Sequence, residues 1–184
     1  MKATKYVKID GKFPMHRGSY LESPSIAYET WGINDNGNNA ILIFTGLSPS
    51  AHASSSPEDS KSGWWEDMIG SGLPLDPDRY FIICVNSLGS CFGSTGPASI
   101  NPATGERYKL NFPVLSLEDV ARGGYEVIKS LGLKKLHTTI GCSLGGMSAL
   151  SFCVQFPEIS ERLISISSSA RALPFSIAIR SLQR

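Results

Sequence analysis

Ser143 has the surroundings of a nucleophile. It stands in Gly141-Cys142-Ser143-Leu144-Gly145, directly after the apolar, β-branched run Leu136-His137-Thr138-Thr139-Ile140 and before a helical pattern. A serine on such a strand-to-helix turn presents its hydroxyl at the head of the helix, where free amides face any negative charge that develops. The chemistry this suits is attack of Ser143 Oγ on an acyl carbon, with the Leu144 amide stabilising the oxyanion. The flanking glycines fit that role, because a strained turn of this kind brings the chain two residues either side against its neighbours. A second amide is expected from Thr45-Gly46-Leu47-Ser48, which follows the apolar run over 40–44; Leu47 is the expected donor. A base is missing, since positions 144 to 184 contain no Asp and no His.

Other chemistries fail on spacing. There is no Gly-x-Gly-x-x-Gly and no Gly-Lys-Ser/Thr to cradle nucleotide phosphates. His16, His52 and His137 lie far apart without a His or Cys partner at ligand spacing, so no metal site is expected. Cys142 occupies the variable position of the pentapeptide and is read as a packing residue. Asp76 and Asp78 precede the strand near Tyr80, at the end of the sheet opposite the site. His52, five residues past Leu47, is the one histidine on the correct edge, and a loop histidine without a catalytic role is the simpler reading. The 184 residues carry a formal charge of +1 and no basic run, which leaves no electrostatic footprint for nucleic acid or an anionic membrane. The N-terminus lacks an apolar leader, no apolar run is long enough for a membrane span, and Cys84, Cys91, Cys142 and Cys153 lack Cys-x-x-Cys spacing. A soluble chain with reduced thiols and a cytoplasmic address is expected.

The elements that position Ser143 are legible as alternating periods. Ser25 to Gly32 alternates as an early, half-exposed strand, and 34–39 is a turn cluster. Ala40 to Phe44 and Tyr80 to Val85 are short continuous apolar runs, predicting central strands covered on both faces. Ser116-Leu117-Glu118-Asp119 opens a helix with an apolar stripe at Val120, Val127, Ile128 and Leu131, ended by Gly132. The Ser143 strand, a helix over 146–156 stopped by Pro157, and a strand over 162–167 follow. Strands alternating with helices predict a mostly parallel α/β sheet of the α/β-hydrolase type. Segments 48–63 and 89–113 are too polar and too rich in Gly, Pro and Ser for core elements. They follow the carboxyl ends of two central strands, the side on which such sheets build their sites.

Four stretches carry a more specific resemblance. Leu88-Gly89-Ser90-Cys91-Phe92-Gly93-Ser94-Thr95-Gly96-Pro97, Asn101-Pro102-Ala103-Thr104-Gly105, Phe112-Pro113-Val114 and Gly141 to Met147 resemble the homoserine O-acetyltransferase family, which also contains serine O-acyltransferases. Gly63-Trp64-Trp65 and Asp76 to Phe81 fit the same pattern, and the likeness runs from Tyr28 to Arg184. Where the family often has His-Ala-Leu this chain has Thr45-Gly46-Leu47, and where it often has Met this chain has Leu144. Those departures resemble the serine-accepting branch.

The resemblance implies a ping-pong transfer from acyl-coenzyme A, acetyl or succinyl, to Ser143 and then to the hydroxyl of homoserine or serine, in methionine or cysteine biosynthesis. It implies no bound cofactor, small-molecule partners only, and a homodimer as one option for the full-length form. Members are longer, with the acid, the histidine and a helical lid further along. Residues 1–184 therefore resemble the amino-terminal portion of a single domain, truncated before the last strands and the lid, with Arg184 inside the lid region and no activity of its own. Arg171, just past the strand over 162–167, could hold a carboxylate or phosphate, though a solvated loop arginine is the plainer reading. An esterase or thioesterase of the same fold, and a non-catalytic fragment, stay open as alternatives.

Overall fold

The apolar runs pair into one sheet. In the computed structural model, which describes residues 3–35 and 37–182, the strands are β1 (Lys5–Lys8), β2 (Lys12–Pro14), β3 (Tyr20–Glu22), β4 (Ser25–Trp31), β5 (Ala40–Phe44), β6 (Phe81–Val85), β7 (Thr138–Cys142) and β8 (Leu163–Ile166). Among the described residues three α-helices and a short 3-10 turn (Lys109–Asn111) accompany them, the helices being α1 (Leu117–Ser130), α2 (Leu144–Gln155) and α3 (Pro174–Ser181). Six strands form a sheet in the order β1-β4-β6-β5-β7-β8, and β2 and β3 form a separate hairpin. β6, β5, β7 and β8 run parallel, while β4 and β1 extend the sheet antiparallel. Arg184, expected in a lid, lies outside the described residues.

β5 and β6 are buried at every position, as their unbroken apolar composition requires. Their alternate residues feed two cores. On one face Leu42, Phe44, Ile83 and Val85 pack with Val120, Val127, Ile128 and Phe152 of α1 and α2. Gly124 of α1 lies directly over the Phe44 ring, where a β-carbon would fall 2.6 Å from two ring atoms. On the other face Ile41, Ile43, Ile82 and Cys84 pack with Ala53, Ile69, Leu75 and the Trp64–Trp65 stack, all from the segment between β5 and β6. A folded loop, not a helix, covers that face.

Several expectations shift in register or burial. β4 is mostly buried where a half-exposed strand is expected, because β1 and the loop segment cover it. α2 starts at Leu144, before the expected 146, since the helix begins immediately at the turn. α1 begins where the capping pattern places it: Ser116 accepts from the Asp119 amide and the Asp119 side chain returns to the Ser116 amide. The hairpin β2–β3 and helix α3 have no counterpart in the sequence reading. All four cysteines are free thiols, three buried or half-buried and Cys91 exposed. Among the described residues, no helix is long and apolar enough to cross a membrane.

β8 pairs with β7 on one side, and all four of its residues are exposed, including Ile164 at 46% and Ile166 at 39%. Phe175, Ile177 and Ile179 of α3 are exposed beside this edge in sequence. An apolar open edge invites pairing with another chain. Residues 1–184 alone are expected to associate with rising concentration in light scattering, and Ile164→Lys with Ile166→Lys to shift them toward monomer. A chain that stays monomeric across the micromolar range would refute this.

Candidate active site

Ser143 caps α2 with φ 55° and ψ −121°. For a residue with a β-carbon this backbone costs about 1–3 kcal/mol, so its surroundings must impose it. They do so through close backbone contact. A β-carbon on Gly141 would fall 2.6 Å from the Gly146 nitrogen and closer still to the Gly145 carbonyl. One on Gly145 would fall 2.8 Å from the Thr45 oxygen and closer still to that of Phe44. The head of α2 is thus pressed onto the end of β5, and the Ser143 amide donates to the Ile166 carbonyl at 2.9 Å, tying the turn to β8.

This packing brings the 45–48 segment beside Ser143. The β-carbon position of Gly46 lies 3.6 Å from the Cys142 carbonyl oxygen. Leu47 is exposed and Leu144 half-buried, and both line one open cleft of about 510 Å³ with Gly46, Ser87 to Ser90, Leu115 to Glu118 and Ser148. Leu144 is the first residue of α2, so its amide has no partner within the helix. Ser143 itself is exposed. Ser143, the expected nucleophile, and the two expected amide donors thus lie at one end of the sheet.

Arg171 is not among the residues that line the cleft. It is exposed on the segment after β8, where its carbonyl accepts the Ser169 hydroxyl at 2.6 Å. The cation at the cleft is Arg17, in the turn of the β2–β3 hairpin. That turn is fastened to the start of α1: the His16 amide donates to Asp119 Oδ1 at 2.7 Å, and Arg122 bonds the Pro14 carbonyl while lying 4.4 Å over the Phe13 ring. Glu118 lines the cleft as well. Bonds from its own amide and the Ser116 hydroxyl, with the charges of His16 and Arg17, hold its carboxyl below the usual range. No spacing in the sequence marks Arg17, because a hairpin of two three-residue strands has no periodicity to detect.

The remaining candidates are engaged elsewhere. His52 is buried, with Nδ1 2.8 Å from Glu29 Oε2 and Nε2 2.8 Å from the Lys61 carbonyl, so neither ring nitrogen is free for Ser143. Cys142 is half-buried, and burial raises its thiol pKa, which keeps it protonated and poorly nucleophilic. Asp76 accepts from the Gly72 and Asp78 amides, and Asp78 from the Ser71 hydroxyl, in the turn before β6 at the far end of the sheet. Among the described residues no group of three or more His, Cys, Asp or Glu is placed to hold a metal ion.

Comparison with known proteins agrees with this geometry. Residues 39–181 match the family model described as alpha/beta hydrolase fold. The chain is 55% identical over 183 residues to the serine O-succinyltransferase of Litchfieldella anticariensis, covering 99% of this chain and 50% of that protein. The chain spans about half the length of the curated relatives it matches. Homoserine O-acetyltransferase from Bacillus anthracis superposes with a TM-score of 0.84 at 34% identity, over 95% of this chain and 49% of that one. Esterase E22 superposes with a TM-score of 0.88 at 31% identity, over 97% and 51%. With the strained serine between strand and helix, the parallel sheet and the family match over most of its length, the chain belongs to the α/β-hydrolase fold family.

Proposed function

We propose that this chain supplies the nucleophile half of an O-acyltransferase that moves an acyl group from acyl-coenzyme A to the hydroxyl of an amino acid, L-serine or L-homoserine. The observation that carries the reading is Ser143, held in strained geometry at the head of α2 and followed directly by Leu144, which lines one cleft with Leu47. Serine is the favoured acceptor and succinyl the favoured acyl group, since the relatives at 53–56% identity are serine O-succinyltransferases. Arg17 and Glu118 give the cleft charges of both signs, which suits a zwitterionic amino acid.

In the first half-reaction Ser143 Oγ attacks the thioester carbon, the carbon–sulfur bond breaks, and the coenzyme thiol leaves with a proton. In the second the acceptor hydroxyl attacks the acyl-serine, and Ser143 recovers its proton as the new ester leaves. Both tetrahedral intermediates place their oxygen toward the Leu47 and Leu144 amides. The base that carries the proton is not His52, whose ring nitrogens are both engaged. That role falls to a histidine, oriented by an acid, in the half of the relatives' length that these residues do not span. Water as acceptor gives the second reading, an esterase, favoured by the superposition on esterase E22.

In a full-length protein matching the span of the relatives, incubation with succinyl-coenzyme A should add one acyl group by intact mass, and Ser143→Ala should abolish it. An adduct that survives Ser143→Ala and is lost in Cys142→Ala would contradict the assignment. Loss of the serine should lower turnover on the order of 10⁶-fold if subtilisin is a guide. Thiol release should accelerate on adding L-serine or L-homoserine, because transfer needs a site that positions an amino-acid hydroxyl and excludes water. Release that is indifferent to both would favour the esterase reading. Residues 1–184 alone should show no turnover, because without a base an oxyanion hole leaves only about 10³–10⁴ over water.

A further inference from the structure

The covered face of the sheet holds a charged group the chemistry above does not use. Alternation along β4 points Glu29 toward the loop-covered face, opposite Cys84, where it is 1% exposed. Its Oε1 accepts the Thr4 hydroxyl at 2.7 Å and its Oε2 meets His52 Nδ1 at 2.8 Å. On the far side of the ring, Nε2 is 2.8 Å from the Lys61 carbonyl. A carbonyl only accepts, so Nε2 carries a proton, and a carboxylate opposite Nδ1 calls for a second proton there. His52 lies five residues past Leu47, on the segment that leaves β5 for the cleft. Within 50–53 the other fixings are neutral, Trp64 Nε1 donating to the Ser50 carbonyl at 2.9 Å and the Trp65 amide to the Ala53 carbonyl at 2.8 Å, while the Glu66 carboxylate holds the Ser55 and Gly63 amides just beyond.

We propose that Glu29 and His52 are positioning residues, a buried carboxylate–imidazolium pair closed by the Lys61 carbonyl, which fixes segment 45–52 so that the Leu47 amide stays beside Ser143. This rests on the acyl-transfer reading for its catalytic consequence and on geometry alone for the pair itself. Burial by itself would depress the His52 pKa. The bonds to Glu29 and Lys61 and the charges of Glu29 and Asp59 outweigh that and leave it raised. The other titratable group facing Glu29, Cys84, stays neutral, as burial and then the Glu29 charge push its thiol well up. A raised histidine contributes its stabilisation fully below the ordinary histidine value and loses it as pH climbs through the raised one. The pair therefore loosens on the alkaline side.

Three readouts in the full-length protein test this. Nitrogen-edited NMR of the His52 ring, assigned by its loss in His52→Gln, should show protons on both nitrogens persisting above the ordinary histidine pKa of about 6.5. Glu29→Gln should abolish the Nδ1 proton and speed amide hydrogen exchange in a peptide spanning 45–52. The acylation rate per active Ser143, counted by intact mass, should fall about 10²- to 10³-fold in Glu29→Gln, as for loss of one oxyanion donor, with KM little changed. A singly protonated ring, or unchanged exchange in 45–52, would overturn the pair as a loop clamp. Fewer active sites at an unchanged rate per site would reduce it to a folding role. If the unaltered protein never acylates Ser143, the acyl-transfer reading fails instead, and the exchange comparison still decides the clamp.

Discussion

The rest of the structure depends on forcing one serine into a backbone it does not favour. Ser143 at φ 55° is stable only because α2 lies so close to β5 and β7 that the turn has no room to relax. That closeness is a property of glycine. Gly141 and Gly145 meet carbonyl and amide atoms of the main chain, which cannot rotate away as a side-chain terminus could. The strain costs about 1–3 kcal/mol, a large part of a margin of roughly 5–15 kcal/mol, and the cores on both faces of the sheet must offset it. The reward is positional: Ser143 is exposed while the first amides of α2 have no partner within the helix.

The same closeness links Ser143 to the covering of the sheet. Gly145 rests on the carbonyls of Phe44 and Thr45, the Phe44 ring lies 5.6 Å from that of Phe152, and Gly124 packs against the same ring. A shift in either helix is therefore felt at the residues leading into Leu47. On the opposite face the loop between β5 and β6 replaces a helix, and it is held by side-chain bonds: Trp31 Nε1 to the Ser55 carbonyl at 3.1 Å, and Glu66 to the Ser55 and Gly63 amides at 2.8 and 2.7 Å. Those bonds hold Glu66 below the usual carboxylate range, the Ser55 hydroxyl foremost. Segment 45–48 thus lies between a helical layer and a loop layer, each with its own core.

What the sequence revealed was what depends on local pattern. Unbroken apolar runs marked β5 and β6, Ser116 with Asp119 marked the start of α1, and Gly141-x-Ser143-x-Gly145 marked the turn, because each is decided within a few residues. The missed features are set by distant contacts. The strands of the β2–β3 hairpin each bury one residue, Phe13 or Leu21, between exposed or half-buried neighbours, too few to show a period. Arg17 reaches the cleft only because Asp119 and Arg122, more than a hundred positions away, fasten its turn. Glu29 and His52 are separated by 23 positions, and nothing in either neighbourhood announces the other. Arg171 follows β8 as expected, on an exposed segment that does not line the cleft.

The central claim is that Ser143 carries an acyl group whose carbonyl oxygen is held by the Leu47 and Leu144 amides. A crystal structure of the full-length protein trapped as the acyl-enzyme tests it most directly. The account predicts an ester on Ser143 Oγ with its carbonyl oxygen within about 2.7–3.1 Å of both amide nitrogens. An ester oxygen turned to solvent with either amide bonded elsewhere, or an acyl group on another residue, would contradict it.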